Sequence, residues 1–129
     1  MDYRFKQVTN GYFDIKTSDK MLTQAWGDNC YRYDYVLGDN ELTLSLLEYE
    51  NSRYLEHFKN YFNKPLTITL EALEPSARNR FHEAMQRYYS LTFNACKMVR
   101  YTNNGHVDRV SHSTVKITFS FEDFDVEYH

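Results

Sequence analysis

The stretch from Tyr31 to Leu46, YRYDYVLGDNELTLSL, decides the fold class. Tyr31, Tyr33, Tyr35 and Leu37 alternate with Arg32, Asp34 and Val36, and Leu42, Leu44 and Leu46 alternate with Thr43 and Ser45. A two-residue period places successive side chains on opposite faces of a pleated strand, so each run reads as a strand with one face packed. Gly38-Asp39-Asn40 lies between the runs, and these residue types supply the backbone freedom of a tight reversal. The segment is predicted to be an antiparallel β-hairpin.

The same reading extends in both directions. Upstream, Tyr3 and Phe5 alternate, Asn10-Gly11 marks a turn, and Tyr12 to Ile15 resumes an extended run. A short helix follows, with Ser18 as its cap, Leu22, Ala25 and Trp26 on one face, and Gly27 at a left-handed C-cap. Downstream, Asn51 or Ser52 is predicted to cap a helix over about 52–62 whose apolar residues are Leu55, Phe58 and Phe62, with Tyr54 and Tyr61 beside them. Asn63-Lys64-Pro65 ends it, and Leu66, Ile68 and Leu70 alternate with Thr67, Thr69 and Glu71 as a strand.

After Pro75, Ala77, Phe81, Ala84, Met85, Tyr88 and Leu91 fall on one stripe, which predicts a second main helix over about 76–91. Ala95 to Tyr101 reads as a strand, Asn103-Asn104-Gly105 as a turn, and Val107 to Val110 as the return. Val115, Ile117, Phe119 and Phe121 occupy odd positions, whereas Phe124, Val126 and Tyr128 occupy even ones. A one-residue slip exchanges the two faces of a strand, so a bulge or bend is expected near Glu122-Asp123. The expected fold is α+β: one domain over 1–129, with an antiparallel sheet of about five to seven strands packed by two main helices.

Composition fits that reading. The chain has 129 residues, and 12 Tyr, 9 Phe and 1 Trp supply large apolar areas for a core. This argues against disorder, although mean hydropathy is −0.71. No apolar run reaches the roughly 18 residues of a membrane span and no basic-then-apolar leader opens the chain, so a virion or cytoplasmic location is expected rather than secretion through a signal peptide. Cys30 and Cys96 are expected as free thiols. Residues 1–52 carry 5 basic against 9 acidic side chains, residues 53–116 carry 10 against 5, and residues 117–129 carry none against 4. Such polarity suits an acidic partner or a second copy of the chain.

Catalytic and cofactor signatures are missing. His57, His82, His106, His112 and His129 show no ligand spacing with each other or with cysteine, so no metal is expected. His82-Glu83 would need another His where Gln86 stands to resemble a zinc-protease helix. His112-Ser113-Thr114 matches the element of two-histidine phosphoesterases only once, and that chemistry needs an acid and a base facing each other. No glycine-rich phosphate loop or nucleophile elbow is present, and no cofactor is expected. Arg78 and Arg80, with His82, offer a grip on a phosphate or carboxylate; the alternative is a solvated helix face. Lys97, Arg100, Arg109 and Lys116 interleave with aromatics as in nucleic-acid binders, but a pI of 5.9 argues against such a partner. Protein interfaces favour tyrosine, and Tyr31, Tyr33, Tyr35, Arg78, Arg80 and Arg109 are the expected contact residues.

From residue 65 to the end the order of elements resembles the tail tube proteins of contractile bacteriophages. Leu66-Thr67-Ile68-Thr69-Leu70, then Ala77-Arg78 and Phe81, the turn at Asn104-Gly105, and the alternating run from Val115 to Phe121 carry the resemblance. It implies a ring of six copies joined sheet to sheet, with rings stacked head to tail. Unlike patches of opposite charge suit a head-to-tail contact, and exposed strand edges suit a ring.

The expected function is a non-catalytic structural or assembly protein, a phage-tail tube or other virion component that self-associates through sheet edges and complementary charge. Its expected partners are proteins, its own copies first, and neither a membrane nor nucleic acid. Two alternatives stand beside it: a small acidic inhibitor or immunity-type protein binding one partner, and a small enzyme on a phosphate or acyl substrate using His82 with Arg78, or His112.

Overall fold

The alternating runs fold as strands. The computed structural model describes residues 12–73, 87–104 and 112–129. Among them are strands β1 (Phe13–Thr17), β2 (Cys30–Val36), β3 (Glu41–Leu47), β4 (Leu66–Leu73), β5 (Arg87–Thr102), β6 (Thr114–Ser120) and β7 (Asp123–Tyr128), with helices α1 (Lys20–Gly27) and α2 (Tyr54–Tyr61). All pairings are antiparallel, in the order β1-β4-β5-β6-β3-β2, and β7 pairs with β5.

Strand β5 organises the molecule. Its 16 residues span about 50 Å if straight, more than a small core can use. It is bent instead. Ala95 adopts φ 54°, after which the buried positions change from Leu91 and Phe93 to Cys96 and Met98. A second register shift falls between Met98 and Arg100. Extra residues of this kind kink a strand and sharpen its twist. The first half of β5 thereby pairs with β4 and β7, and the second half with β6.

The expected break before β7 is present. Ser120 faces Lys97, but Asp123 faces Asn94, and the intervening Glu122 N–H donates to the Asn94 carbonyl at 3.0 Å. The bend carries the chain from one half of β5 to the other while keeping Phe121 buried.

Inward positions form one core: Leu42, Leu44 and Leu46 from β3, Ile68 and Leu70 from β4, Phe93 and Met98 from β5, and Val115, Ile117 and Phe119 from β6. Leu22 and Trp26 of α1 are fully buried in it. The sheet curls until Phe13 of β1 meets Tyr33 of β2 edge to face, with ring centroids 4.7 Å apart. Outside, cross-strand hydroxyl pairs Thr43–Thr118 (3.0 Å) and Thr69–Thr92 (3.3 Å) tie neighbouring strands.

Several expectations are corrected. The predicted helix over 76–91 lies partly outside the described residues, but its end, Arg87 to Leu91, is strand. Tyr89 and Leu91 continue with Phe93 in a two-residue alternation opposite Ala72, Leu70 and Ile68. Aromatic side chains favour that half-buried sheet surface over a helix end. In α1 the cap is Asp19, whose carboxylate accepts from Leu22 N–H at 3.1 Å, while Ser18 Oγ accepts from Thr67 N–H. The C-cap is right-handed Asp28, and Gly27 has no positive φ.

In α2, Ser52 does not cap; its Oγ accepts from Tyr49 N–H, and the N-cap Arg53 makes no capping bond, its guanidinium pairing with Glu56 at 3.3 Å instead. The helix buries Tyr54 and His57 rather than Leu55 and Phe62, which are 67% and 45% exposed. Two bonds fix this rotation: Tyr54 Oη–H donates to the Leu47 carbonyl (2.7 Å) and the Trp26 indole donates to His57 (3.3 Å). The strands expected around Tyr3 and over Val107 to Val110 lie outside the described residues. Cys96 is buried and Cys30 half-buried, both as free thiols; burial pushes them up to about 12 and about 11.

Candidate assembly surface

Strand β2 sets Tyr33 and Tyr35 on the same face, two residues apart. Their rings stack 6.1 Å apart and 4° from parallel. Tyr33 also meets Phe13, and Tyr35 meets Phe93 at 5.7 Å. Burial, reinforced by Tyr89 close by, raises both phenol pKa values. These two rings therefore spend most of their surface closing the core between β1, β2 and β5. Tyr31 differs: the register shifts between Cys30 and Arg32, and Tyr31 turns outward, 46% exposed. All three, with Arg32, Asp34 and Tyr89, line an open groove of about 470 Å³. The Arg32 guanidinium pairs with Asp34 at 3.1 Å on its rim.

Tyr89 was assigned by sequence to a helix and so was missed as a groove residue; its alternation with Leu91 and Phe93 was the available signal. The other expected contact residues, Arg78, Arg80 and Arg109, lie outside the described residues, as do His82 and His106.

Sheet edges are the second feature. Among the described residues β1, β2 and β7 each pair on one side only. Strand β7 is exposed along its whole length, with Phe124, Val126 and Tyr128 on one face and Asp123, Asp125 and Glu127 on the other. Asn94 Nδ2 donates to Asp123 at 2.6 Å and to Asp125 at 3.1 Å, holding these carboxylates outward. An unpaired edge with an exposed apolar row is a template for pairing with another chain.

Charge divides along the outer wall. Acidic β7 lies beside the first half of β5, whereas Lys97, Arg100 and Lys116 are exposed on the second half of β5 and on β6. Arg100 leans towards Glu41 at 3.7 Å. Among the described residues no ion pair engages Lys97 or Lys116.

The remaining chemical candidates do not converge. His57 is buried between Trp26 and Tyr54 and accepts a hydrogen bond through Nδ1. Burial lowers its pKa despite nearby Glu56 and Asp19. It borders a groove of about 390 Å³ with Arg53, Gln24 and Asn29. His112 is exposed beside Ser113, whose hydroxyl donates to Glu48 Oε1 at 2.7 Å, so that serine is not paired with a base histidine. Among the described residues no group of His, Cys, Asp and Glu has metal-binding geometry, and no helix is long and apolar enough to cross a membrane.

The curled seven-strand sheet with its two short helices is similar in fold to Hcp and to a contractile injection system protein. A chain of the PVC sheath-tube complex, an extracellular contractile injection system in its extended state, superposes with TM-score 0.66 at 10% identity, covering 95% of this chain and 93% of that one. Hcp1 from Flavobacterium johnsoniae gives 0.57 at 11% identity, covering 91% and 95%. A chain of the anti-feeding prophage baseplate, six-fold symmetrised, gives 0.52 at 12% identity, covering 99% and 83%. By sequence, no known family and no curated protein matches. The resemblance to contractile phage tail tube proteins read from residues 65–129 holds as a likeness of fold, and the match to the sheath-tube complex extends over 95% of the chain.

Proposed function

We propose that this chain is a non-catalytic structural subunit that self-associates into rings of a tube, in a phage tail or a related contractile injection particle. The observation that carries the reading is the match over 95% of the chain to a sheath-tube complex, on a molecule whose described edge strands β1, β2 and β7 are each paired on one side only. A neighbour from a six-fold symmetrised baseplate fits a ring of six. Tyr31 and the groove around Tyr33 and Tyr35 supply aromatic contact area at the β2 edge, with Arg78, Arg80 and Arg109 as further contact residues. The particle, not a membrane, is the working location.

Sedimentation velocity and negative-stain microscopy of the purified chain over a concentration series test this. Rings, tubes or discrete oligomers are expected; a strict monomer at the highest soluble concentration overturns it.

A further inference from the structure

We infer that copies of this chain join through a charge-matched contact in which the acidic β7 of one copy meets the Lys97–Lys116 face of the next. This rests on the ring- and tube-forming reading above and names the two surfaces that meet.

Three observations carry it. First, β7 presents Asp123, Asp125 and Glu127 outward while its far edge has no partner among the described residues. Second, the opposite face of β7 carries Phe124, Val126 and Tyr128, 37%, 44% and 81% exposed, so a copy seated along the free edge also finds apolar area there. Third, the complementary charge is on the same chain. Lys97 on β5 and Lys116 on β6 stand exposed on the outer wall, with Arg100 between them, and no described carboxylate pairs with either lysine.

Both patches border one strand. The acids flank β5 up to Asn94, and the bases begin at Lys97, beyond the Ala95 bend. Two unlike patches on one protein make a heterologous contact, which repeats copy after copy and closes into a ring or runs on as a stack. Complementary fields steer such contacts and fix their register, and they are screened by salt. The occupant is therefore a second copy: one molecule carries both signs, segregated along a single wall.

The test is a charge exchange. One variant carries Asp125→Lys and Glu127→Lys, the other Lys97→Glu and Lys116→Glu. All four positions are exposed, so circular dichroism and thermal melting should match the unaltered chain. Each variant alone should need about tenfold or more protein to assemble. An equimolar mixture should assemble again, because each reversed patch then finds a reversed partner and each native patch a native one. Assembly of the unaltered chain should weaken as salt rises.

Variants that assemble like the unaltered chain would overturn the contact and reduce the β7 acids to a guard against edge aggregation. Loss in each variant without recovery in the mixture would also overturn it, placing the partner surface elsewhere. An unaltered chain that stays monomeric throughout would instead remove the ring reading itself.

Discussion

Trp26 on α1 donates its indole N–H to Nδ1 of His57 on α2 at 3.3 Å, so the hydrogen bond exists only while that nitrogen is unprotonated. At the other end of α1, Tyr61 Oη–H donates to Asp19 Oδ2 at 2.8 Å. Two separate hydrogen bonds, one near each end of α1, thus seat α2 against it.

Burial holds the His57 pKa below its ordinary 6.5, against the pull of Glu56 and Asp19. The unfolded chain then binds a proton more readily than the folded one. The stabilisation from neutral His57 is full above about pH 6.5 and is lost as pH falls through the depressed folded value. Melting temperature should decline as pH falls below that point, with a change in Trp26 fluorescence. His57→Gln should flatten the slope in this window. The Asp19 carboxyl, held below its ordinary 3.8 by the Leu22 N–H and Tyr61, contributes only at lower pH. An unaltered slope in His57→Gln would refute the assignment.

Glu71 projects from the outer face of β4, buried, with Lys16 Nζ at 3.0 Å and Arg87 Nε at 2.7 Å. Both cations are about half exposed, so water screens them when the carboxylate is removed and the loss is smaller than for a buried pair. Glu71→Gln should destabilise by about 1–2 kcal/mol, measurable by urea denaturation. The loss should shrink in high salt. A salt-independent loss would instead assign the effect to packing.

Phe93 is fully buried and packs on Phe121 at 4.8 Å and on Tyr35 at 5.7 Å. Phe93→Ala should cost about 3–5 kcal/mol. Tyr31→Ala, at the outward register shift of β2, should change monomer stability by no more than about 0.5 kcal/mol. Any larger effect of Tyr31→Ala should appear in assembly, where its exposed ring is available. Chemical denaturation alongside sedimentation separates the two.

Ala95 holds φ 54° in the bend of β5, a conformation in which its Cβ crowds the following carbonyl. Glycine lacks that contact. Ala95→Gly should therefore be neutral or stabilising by up to about 1 kcal/mol, although glycine elsewhere in a strand destabilises. Ala95→Val should be markedly destabilised and alter the register seen by amide exchange.

Most of the sheet was legible because alternation is a local property. Tyr33 to Leu46 and Val115 to Tyr128 each state their own pleat, and the change of parity before Phe124 announced the bend. What failed depends on neighbours distant in the chain. Tyr88 and Leu91 satisfy a helical stripe, but Ala72, Leu70 and Val126 recruit the segment as a strand. Leu55 and Phe62 look like a buried helix face until Tyr54 and His57 find Leu47 and Trp26. At the surface, the tyrosines of β2 were visible as a row. That Tyr31 alone turns outward follows from the register shift between Cys30 and Arg32, which leaves no mark in the sequence.

The sharing of β5 between two groups of strands has a mechanical consequence. Tension along β5 strains the ladders to β4, β6 and β7 sideways, so many hydrogen bonds must give way together. Tension across an outer strand such as β7 peels its bonds one after another. A molecule of this fold should therefore resist a pull along β5 far better than one that pries an outer strand away.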